Sequence, residues 1–110
     1  MTLSELATKM SLKTVTGALT DDGYDGVYAG DLLSRAMSHV EAGNLWITIM
    51  SNSNVIAVAS LTECAAVILA ESVELMPDAF SAAEENGILV LSSDMTVYEL
   101  CVQIDKLNHE

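Results

Sequence analysis

The sequence has 110 residues, the usual size of one domain, and 51% of them are hydrophobic and mostly aliphatic, since aromatic residues make up only 5%. Acidic residues outnumber basic ones by 16 to 4, which gives a formal net charge of −12. This charge argues against nucleic acid and anionic membrane surfaces as direct partners, because binding to them depends on basic groups. It is typical of a soluble cytoplasmic protein, or of one that docks on a basic protein face.

The first sixteen residues predict a helix followed by a short strand. Thr2 and Glu5 have the spacing of a capping box, in which a hydroxyl and a carboxylate satisfy the first free amides of a helix. Apolar residues at helical spacing then extend this helix to about Met10. A weak alternation of apolar and polar residues over 12–16 allows a short strand.

The segment 20–34 is predicted to be a loop and contains three glycines and four aspartates. A brief extended piece is expected within it at 27–29. Asp31 is a good N-cap for the helix that follows, which is predicted to run to about Val40. Gly43 is a suitable residue to end this helix.

Buried strands and helices alternate in the second half of the chain. The predicted elements are a strand at 45–50, a helix at 55–63, a strand at 66–69, a helix from Pro77 to Asn86, a strand at 88–91 and a last helix capped by 92–94. Continuous apolar strands joined by helices indicate a parallel sheet covered on both faces. The sequence therefore predicts a single α/β domain over 1–110, a three-layer α/β/α arrangement with a mostly parallel sheet.

Polar residues stand at the carboxyl ends of these strands, where parallel sheets usually bind ligands. They are Ser51, Asn52, Ser53 and Asn54 after one strand, Glu71 and Ser72 after the next, and Ser92, Ser93 and Asp94 after the last. Converging hydroxyls, amides and helix-terminal N–H groups would make a small-molecule or anion site. The same residues are also ordinary helix caps, and both interpretations stay open.

Catalytic and metal-binding motifs do not emerge from the sequence. There is no GxxxxGK[ST] phosphate loop and no GxGxxG. The clustered aspartates lack the order of an EF-hand, and solvated loop acids explain them better than a cation site. His39 and His109 are isolated, and Ser34 would not face His39 on one helix. We therefore expect no metal, no cofactor and no catalytic set.

The two cysteines, Cys64 and Cys101, lie in apolar stretches and form no CxxC pair. Buried free thiols suit a reducing compartment, so we expect a cytoplasmic location. No basic segment followed by an apolar run marks a signal peptide, and the longest apolar run is far too short to span a membrane.

Two segments resemble the DRTGG domain family. One is Gly26-Val-Tyr-Ala-Gly-Asp-Leu-Leu-Ser34 followed by Met37, which is similar to the segment that names the family. The other is Gly43-Asn-Leu-Trp-Ile-Thr-Ile-Met-Ser51, which is similar to its Trp-Ile-Thr strand. The strands at 67–69 and 87–91 match in type and spacing, so the resemblance covers nearly the whole chain.

The resemblance implies a fold like the N-terminal domain of HPr kinase/phosphorylase, whose chemistry belongs to a separate P-loop domain that this chain lacks. DRTGG domains also occur beside CBS and phosphotransacetylase domains, which implies a regulatory or ligand-sensing role. The chain departs from the motif, since the arginine position carries Gly23 or Tyr24 and the second glycine is Val27. The resemblance therefore assigns no role of that arginine to this chain.

The leading hypothesis is a non-catalytic regulatory module that binds a small metabolite or a partner protein as a homodimer. One alternative is a structural or accessory subunit of a metabolic or redox complex, held by its acidic surface. Another is a small enzyme acting at the strand ends through Ser51, Asn52, Ser92 and Asp94. In the glycine-rich segment, the residues expected to shape an interface or a pocket rim are Gly26, Tyr28, Gly30, Asp31 and Ser34.

Overall fold

The computed structural model describes all 110 residues and contains five helices and five strands. In chain order they are α1 (Leu3–Met10), β1 (Lys13–Thr16), β2 (Val27–Ala29), α2 (Leu33–His39), β3 (Leu45–Thr48), α3 (Ser53–Thr62), β4 (Ala66–Leu69), α4 (Pro77–Asn86), β5 (Val90–Ser92) and α5 (Val97–Asn108). None of the helices combines the length and the apolar character that crossing a bilayer requires.

The five strands form one sheet in the order β1-β5-β4-β3-β2. Strands β2 to β5 are parallel, and β1 joins the edge beside β5 in the antiparallel sense. Each parallel strand leads through one helix to its immediate neighbour, so the chain steps across the sheet in one direction from β2 to β5. The mostly parallel sheet expected from the sequence is confirmed.

The sheet separates two apolar cores, which confirms the three-layer arrangement. Helices α1 and α5 cover one face, where Leu6 and Leu100 belong to the same buried cluster as Leu45 and Ile47 of β3. Helices α2, α3 and α4 cover the other face, where the fully buried Trp46 lies. All four residues of β3 and all four of β4 are buried. Both faces are therefore covered, as expected from strands with continuous apolar character.

Three helix ends lie where short sequence motifs predicted them. The capping box of Thr2 and Glu5 is present at the start of α1. Pro77 lies in the first turn of α4, and Gly87 ends that helix with a φ of 65°. The remaining differences are small: α3 begins at Ser53 rather than 55, β3 ends at Thr48, and β5 spans Val90–Ser92 rather than 88–91.

The predicted N-cap of α2 was wrong. The helix begins after Leu32, which makes no side-chain capping bond. Asp31 instead reaches across to the end of β3, where its Oδ1 accepts hydrogen bonds from the Thr48 hydroxyl at 2.8 Å and from Ile49 N–H at 2.9 Å. The carboxylate is used to join two parallel strands rather than to cap a helix.

The predicted cap of α5 was also wrong. Residues 92–94 do not cap this helix; Thr96 does, through a complete capping box with Glu99. The turn from β5 into α5 takes more residues than the sequence indicated. Asp94 bonds instead to the loop that follows β4.

Candidate functional site

A cleft of about 430 Å³ opens at the carboxyl ends of β4 and β5. The loop after β4 leads to α4 on one face of the sheet, whereas the loop after β5 leads to α5 on the other. The two loops therefore diverge, which in parallel sheets is where ligands usually bind. The β4–β5 cleft, as we name it, is lined by 72–75, by 92–94, and by Ser11, Lys13 and Val15.

Hydrogen bonds tie the two loops together at the floor of the β4–β5 cleft. Ser72 N–H donates to the Ser93 carbonyl at 2.9 Å, and Glu71 N–H donates to the Met95 carbonyl at 2.8 Å. The Ser72 hydroxyl donates to Asp94 Oδ1 at 2.5 Å. These bonds hold Glu71 and Ser72 in consecutive left-handed conformations, with φ of 58° and 59°. Such a conformation is strained in residues other than glycine, and strain of this kind clusters at functional sites.

Lys13 brings an ammonium group to the β4–β5 cleft. It stands opposite Ser92 in the antiparallel pairing of β1 with β5. The one ion pair in the structure joins His109 to Asp105, so Lys13 has no carboxylate within ion-pair distance. Sequence analysis did not single out Lys13, because the position of the weak strand 13–16 beside β5 is a tertiary feature. The sequence offered one signal for it: Lys13 is one of only four basic residues in the chain, and it lies within a predicted strand.

The polar residues predicted at the strand ends fall into two groups. Ser92 and Asp94, together with Ser72 and Ser93, line the β4–β5 cleft, but Ser51, Asn52 and Ser53 do not. Asn52 caps α3 and accepts a hydrogen bond from Asn54 N–H at 3.0 Å. The Ser51 carbonyl accepts from Met76 N–H at 3.0 Å. The structure therefore does not bring all of these residues into one lining.

Three predicted residues of the glycine-rich segment form a packed junction between β2 and β3. The indole N–H of Trp46 donates to the Gly30 carbonyl at 3.0 Å. The ring of Tyr28 lies against Gly30, where an added Cβ would come within 3.0 Å of Tyr28 Cε2. Asp31 binds Thr48, as described above. These contacts are internal to the fold.

The other two predicted residues of this segment lie on either side of the junction. Gly26 has a φ of 78°, and an added Cβ would come within 3.0 Å of Asn44 Nδ2. Asn44 is itself buried and donates to the Asp25 carbonyl. Ser34 is exposed in the first turn of α2, where its carbonyl accepts from the Ser38 hydroxyl at 3.3 Å.

Both cysteines are free thiols and half-buried, whereas full burial was expected. Burial raises the pKa of Cys64 to about 11 and also raises the pKa of Cys101. Both side chains are therefore protonated at neutral pH. Nowhere in the chain do three or more His, Cys, Asp or Glu side chains form a group that could hold a metal ion.

Comparison with known proteins identifies a shared fold. No protein-family model and no curated protein matches the chain. Among solved structures, the chain is similar to the CBS and DRTGG domains of the regulatory region of Clostridium perfringens pyrophosphatase, complexed with the activator diadenosine tetraphosphate. The TM-score is 0.69 at 10% identity, over 89% of this chain and 43% of that one. The chain thus spans less than half of that structure, and the likeness supports a DRTGG-like fold.

Proposed function

We propose that this chain is a non-catalytic regulatory module that binds a small metabolite in the β4–β5 cleft. The observation that carries the proposal is the position of this cleft, where two neighbouring parallel strands send their loops to opposite faces. The likeness to a regulatory region solved with a nucleotide activator supports a sensing role. The cleft volume of about 430 Å³ lies within the usual range for small-molecule sites.

The lining suits a polar metabolite, and an anionic group on it would bind at Lys13. Lys13 supplies an ammonium without an ion-pair partner, Ser11, Ser92 and Ser93 add hydroxyls, and the carboxylates of Glu74 and Asp94 confine the anionic group to the lysine side. An anionic group would bind beside Lys13 because charge-assisted hydrogen bonds are the strongest that a half-exposed site offers. Sugar or ribose hydroxyls would suit the carboxylate of Asp94, which accepts hydrogen bonds.

Binding in the β4–β5 cleft would be sensed through the loop that follows β4. Glu71 and Ser72 keep their left-handed conformations through bonds to Ser93, Asp94 and Met95. A ligand that competes for Asp94 would loosen these bonds, and one that bridges both loops would tighten them. Either change would shift the segment that leads into α4.

A thermal-shift panel of nucleotides, acyl phosphates and divalent ions tests this function. A ligand at one hundred times its Kd stabilises the folded state by about 2.7 kcal/mol. In a domain of this size that raises Tm by roughly 10 °C or more. Lys13→Ala should weaken the effect of an anionic ligand, whereas Lys106→Ala, the same change on α5 outside the cleft, should not.

A flat response across the panel would contradict the sensing role and favour the accessory-subunit alternative. The specific observation behind that alternative is the net charge of −12, which suits docking on a basic partner. A ligand response that survives Lys13→Ala unchanged would place binding elsewhere. Turnover of a panel compound would favour instead the small enzyme acting at the strand ends.

A homodimer remains part of the proposal. Two large apolar side chains are exposed at helix α2: Leu32, just before its first residue, at 64%, and Met37 within it, at 51%. Contact between two copies through this helix would cover them. Sedimentation that shows only monomer at tens of micromolar would remove the dimer. We further propose a cytoplasmic location, since the two free thiols suit a reducing compartment.

A further inference from the structure

We propose that edge strand β2 pairs with an extended, basic segment of a partner protein, which fills the groove between β2 and α5. This β2–α5 groove has a volume of about 400 Å³ and lies at the opposite edge of the sheet from β1. Its walls are Gly26, Val27 and Ala29 on the strand side, and Cys101, Ile104 and Asp105 on the helix side. It shares no lining residue with the β4–β5 cleft.

The free edge of β2 supplies the first argument. β2 pairs with β3 alone. Leu45 N–H donates to the Gly26 carbonyl and Gly30 N–H donates to the Ile47 carbonyl, so the even-numbered residues of this segment point their backbone groups at β3. Val27 and Ala29 therefore direct their N–H and C=O groups outward. Unpaired groups at a sheet edge are a ready template for an additional strand.

The side chains of β2 supply the second argument. In the pairing register Val27 lies beside Leu45 and Ala29 lies beside Ile47. Leu45 and Ile47 are covered by the core beneath α1 and α5, but Val27 remains 38% exposed and Ala29 is exposed as well. The helical layer thus stops short of the edge strand and leaves an apolar strip uncovered.

Helix α5 continues this apolar strip on the other wall. Tyr98, Cys101 and Asp105 follow one another at helical spacing, so they share the flank of α5 that faces β2. Tyr98 is 76% exposed, although it is a large aromatic side chain. A strand added beside β2 would pass between these walls and cover apolar surface on both.

Charge identifies the kind of segment that fits. The β2–α5 groove runs into a neighbouring cavity of about 500 Å³, with which it shares Gly26 and Asn108. Neither cavity is lined by a lysine or an arginine. The carboxylates that line the two cavities are those of Glu5, Asp25, Asp105 and Glu110. In an extended segment beside β2, side chains at alternate positions face the groove, so apolar residues at two such positions would fill it and basic residues at the next two, towards Gly26, would lie beside these carboxylates.

A second copy of this chain fits the groove less well. If two β2 strands paired with each other in the antiparallel sense, Asp25 of one copy would approach Asp31 of the other. Like charges directly opposite across a strand pair are destabilising. The groove therefore favours a basic partner over self-association.

The test is a titration of the ¹⁵N-labelled full chain with a short peptide that carries two valines and then two lysines at alternate positions, with threonine between them, and with its counterpart in which glutamate replaces lysine. The lysine peptide should slow hydrogen exchange at the amides of Val27 and Ala29, and the glutamate peptide should not. Asp25→Asn and Asp105→Asn should each weaken binding about two- to fivefold, the range expected for exposed ion pairs. Glu84→Gln, a matched loss of charge on α4, should leave binding unchanged.

Two further measurements decide whether the peptide pairs as a strand. Ala29→Pro removes one outward N–H without touching the bonds to β3, and should abolish binding. A peptide whose pairing edge is N-methylated tests the same point with the chain unaltered. Undiminished binding of the N-methylated peptide would overturn strand pairing. Slowed exchange at Val27 and Ala29 that rises with concentration in the absence of peptide would assign the groove to a second copy and overturn the proposal.

Discussion

The indole N–H of Trp46 donates a hydrogen bond to the backbone carbonyl of Gly30 at 3.0 Å. Gly30 N–H in turn donates to the Ile47 carbonyl at 3.1 Å, so both the N–H and the carbonyl of this glycine are bonded to β3. Gly30 belongs to one segment on which the family resemblance rests, and Trp46 belongs to the other. The two segments are therefore complementary halves of one junction between β2 and β3.

This junction gives the resemblance a physical reason. An indole buried at this position needs an acceptor, and the carbonyl at the end of β2 provides it. Gly30 leaves room for the ring of Tyr28, and Asp31 satisfies the fully buried hydroxyl of Thr48. The glycine-rich segment thus fixes the end of β2, while its neighbours Val27 and Ala29 remain at the free edge.

The bond between Asp31 and Thr48 predicts a measurable coupling. Asp31→Ala leaves the buried Thr48 hydroxyl without its acceptor, which should cost about 1–3 kcal/mol of unfolding free energy. Thr48→Val removes the other partner, so the double variant should be more stable than the sum of the two losses predicts, by about 1 kcal/mol. Urea unfolding followed by circular dichroism measures all three variants.

A control double variant shows whether Asp31 stabilises the protein through its bond to Thr48 or as a helix cap. Asp31→Ala combined with Thr62→Val, a hydroxyl bonded to the Val58 carbonyl within α3, should show additive losses. Additive losses for Asp31→Ala and Thr48→Val as well would mean that Asp31 acts on α2 alone, as the sequence suggested.

Sequence reasoning succeeded where the signal is local. The capping box of Thr2 and Glu5, the proline at the start of α4 and the buried character of β4 depend on residues close together in the chain. It failed at Asp31 and Asp94, because a short carboxylate caps a helix or bonds across a sheet with equal ease. Only the packing of distant strands decides between the two.

The start of β5 and the contribution of Lys13 to the β4–β5 cleft were missed for a related reason. Ile88 is apolar and β-branched, yet its N–H donates to the Ala83 carbonyl at the end of α4 and its carbonyl accepts from the Thr16 hydroxyl. Lys13 joins the cleft only because β1 docks antiparallel beside Ser92. Hydrophobic pattern predicts that a strand exists, but not which neighbour it pairs with.

Gly17 and Gly87 give a second prediction, since both have positive φ but different surroundings. An added Cβ at Gly17 would lie 2.9 Å from Leu89 Cα, whereas one at Gly87 would meet nothing within 4 Å. Gly87→Ala should therefore lower the free energy of unfolding only by the penalty for holding alanine in the left-handed conformation, about 1 kcal/mol. Gly17→Ala should cost about 1–3 kcal/mol more, because backbone cannot move aside as a side chain can. Equal losses in urea unfolding would contradict the close approach of β1 to residue 89.

The capping boxes predict a dependence of stability on pH. Hydrogen bonds from the backbone and side chain of Thr2 hold the pKa of Glu5 below its ordinary value of 4.5, and those of Thr96 do the same for Glu99. Because the folded pKa is depressed, the stabilisation is present above pH 4.5 and is lost as pH falls through the folded pKa.

Glu5→Gln with Glu99→Gln isolates this contribution. The double variant should have a lower urea midpoint than the parent chain at pH 7, and the gap should narrow as the pH falls below 4.5. Glu84→Gln with Glu85→Gln, on α4 and outside any capping box, is the matched loss of two carboxylates. A gap that stays constant from pH 7 to pH 3 would show that the two carboxylates do not titrate differently in the folded state.

The two thiols should differ in reactivity, and one of them reports on the β2–α5 groove. Burial raises the pKa of Cys64 to about 11, so only about one molecule in a thousand carries its thiolate at pH 8, and its reaction with an aromatic disulfide reagent should be slow. Cys101 lines the groove and should react faster, although burial raises its pKa too. Rates measured on Cys64→Ser and Cys101→Ser assign each thiol.

Addition of the lysine–valine peptide should slow the reaction of Cys101 and leave that of Cys64 unchanged, because only Cys101 lies in the groove. Equal slowing of both would indicate a general stabilisation of the fold rather than occupation of this surface.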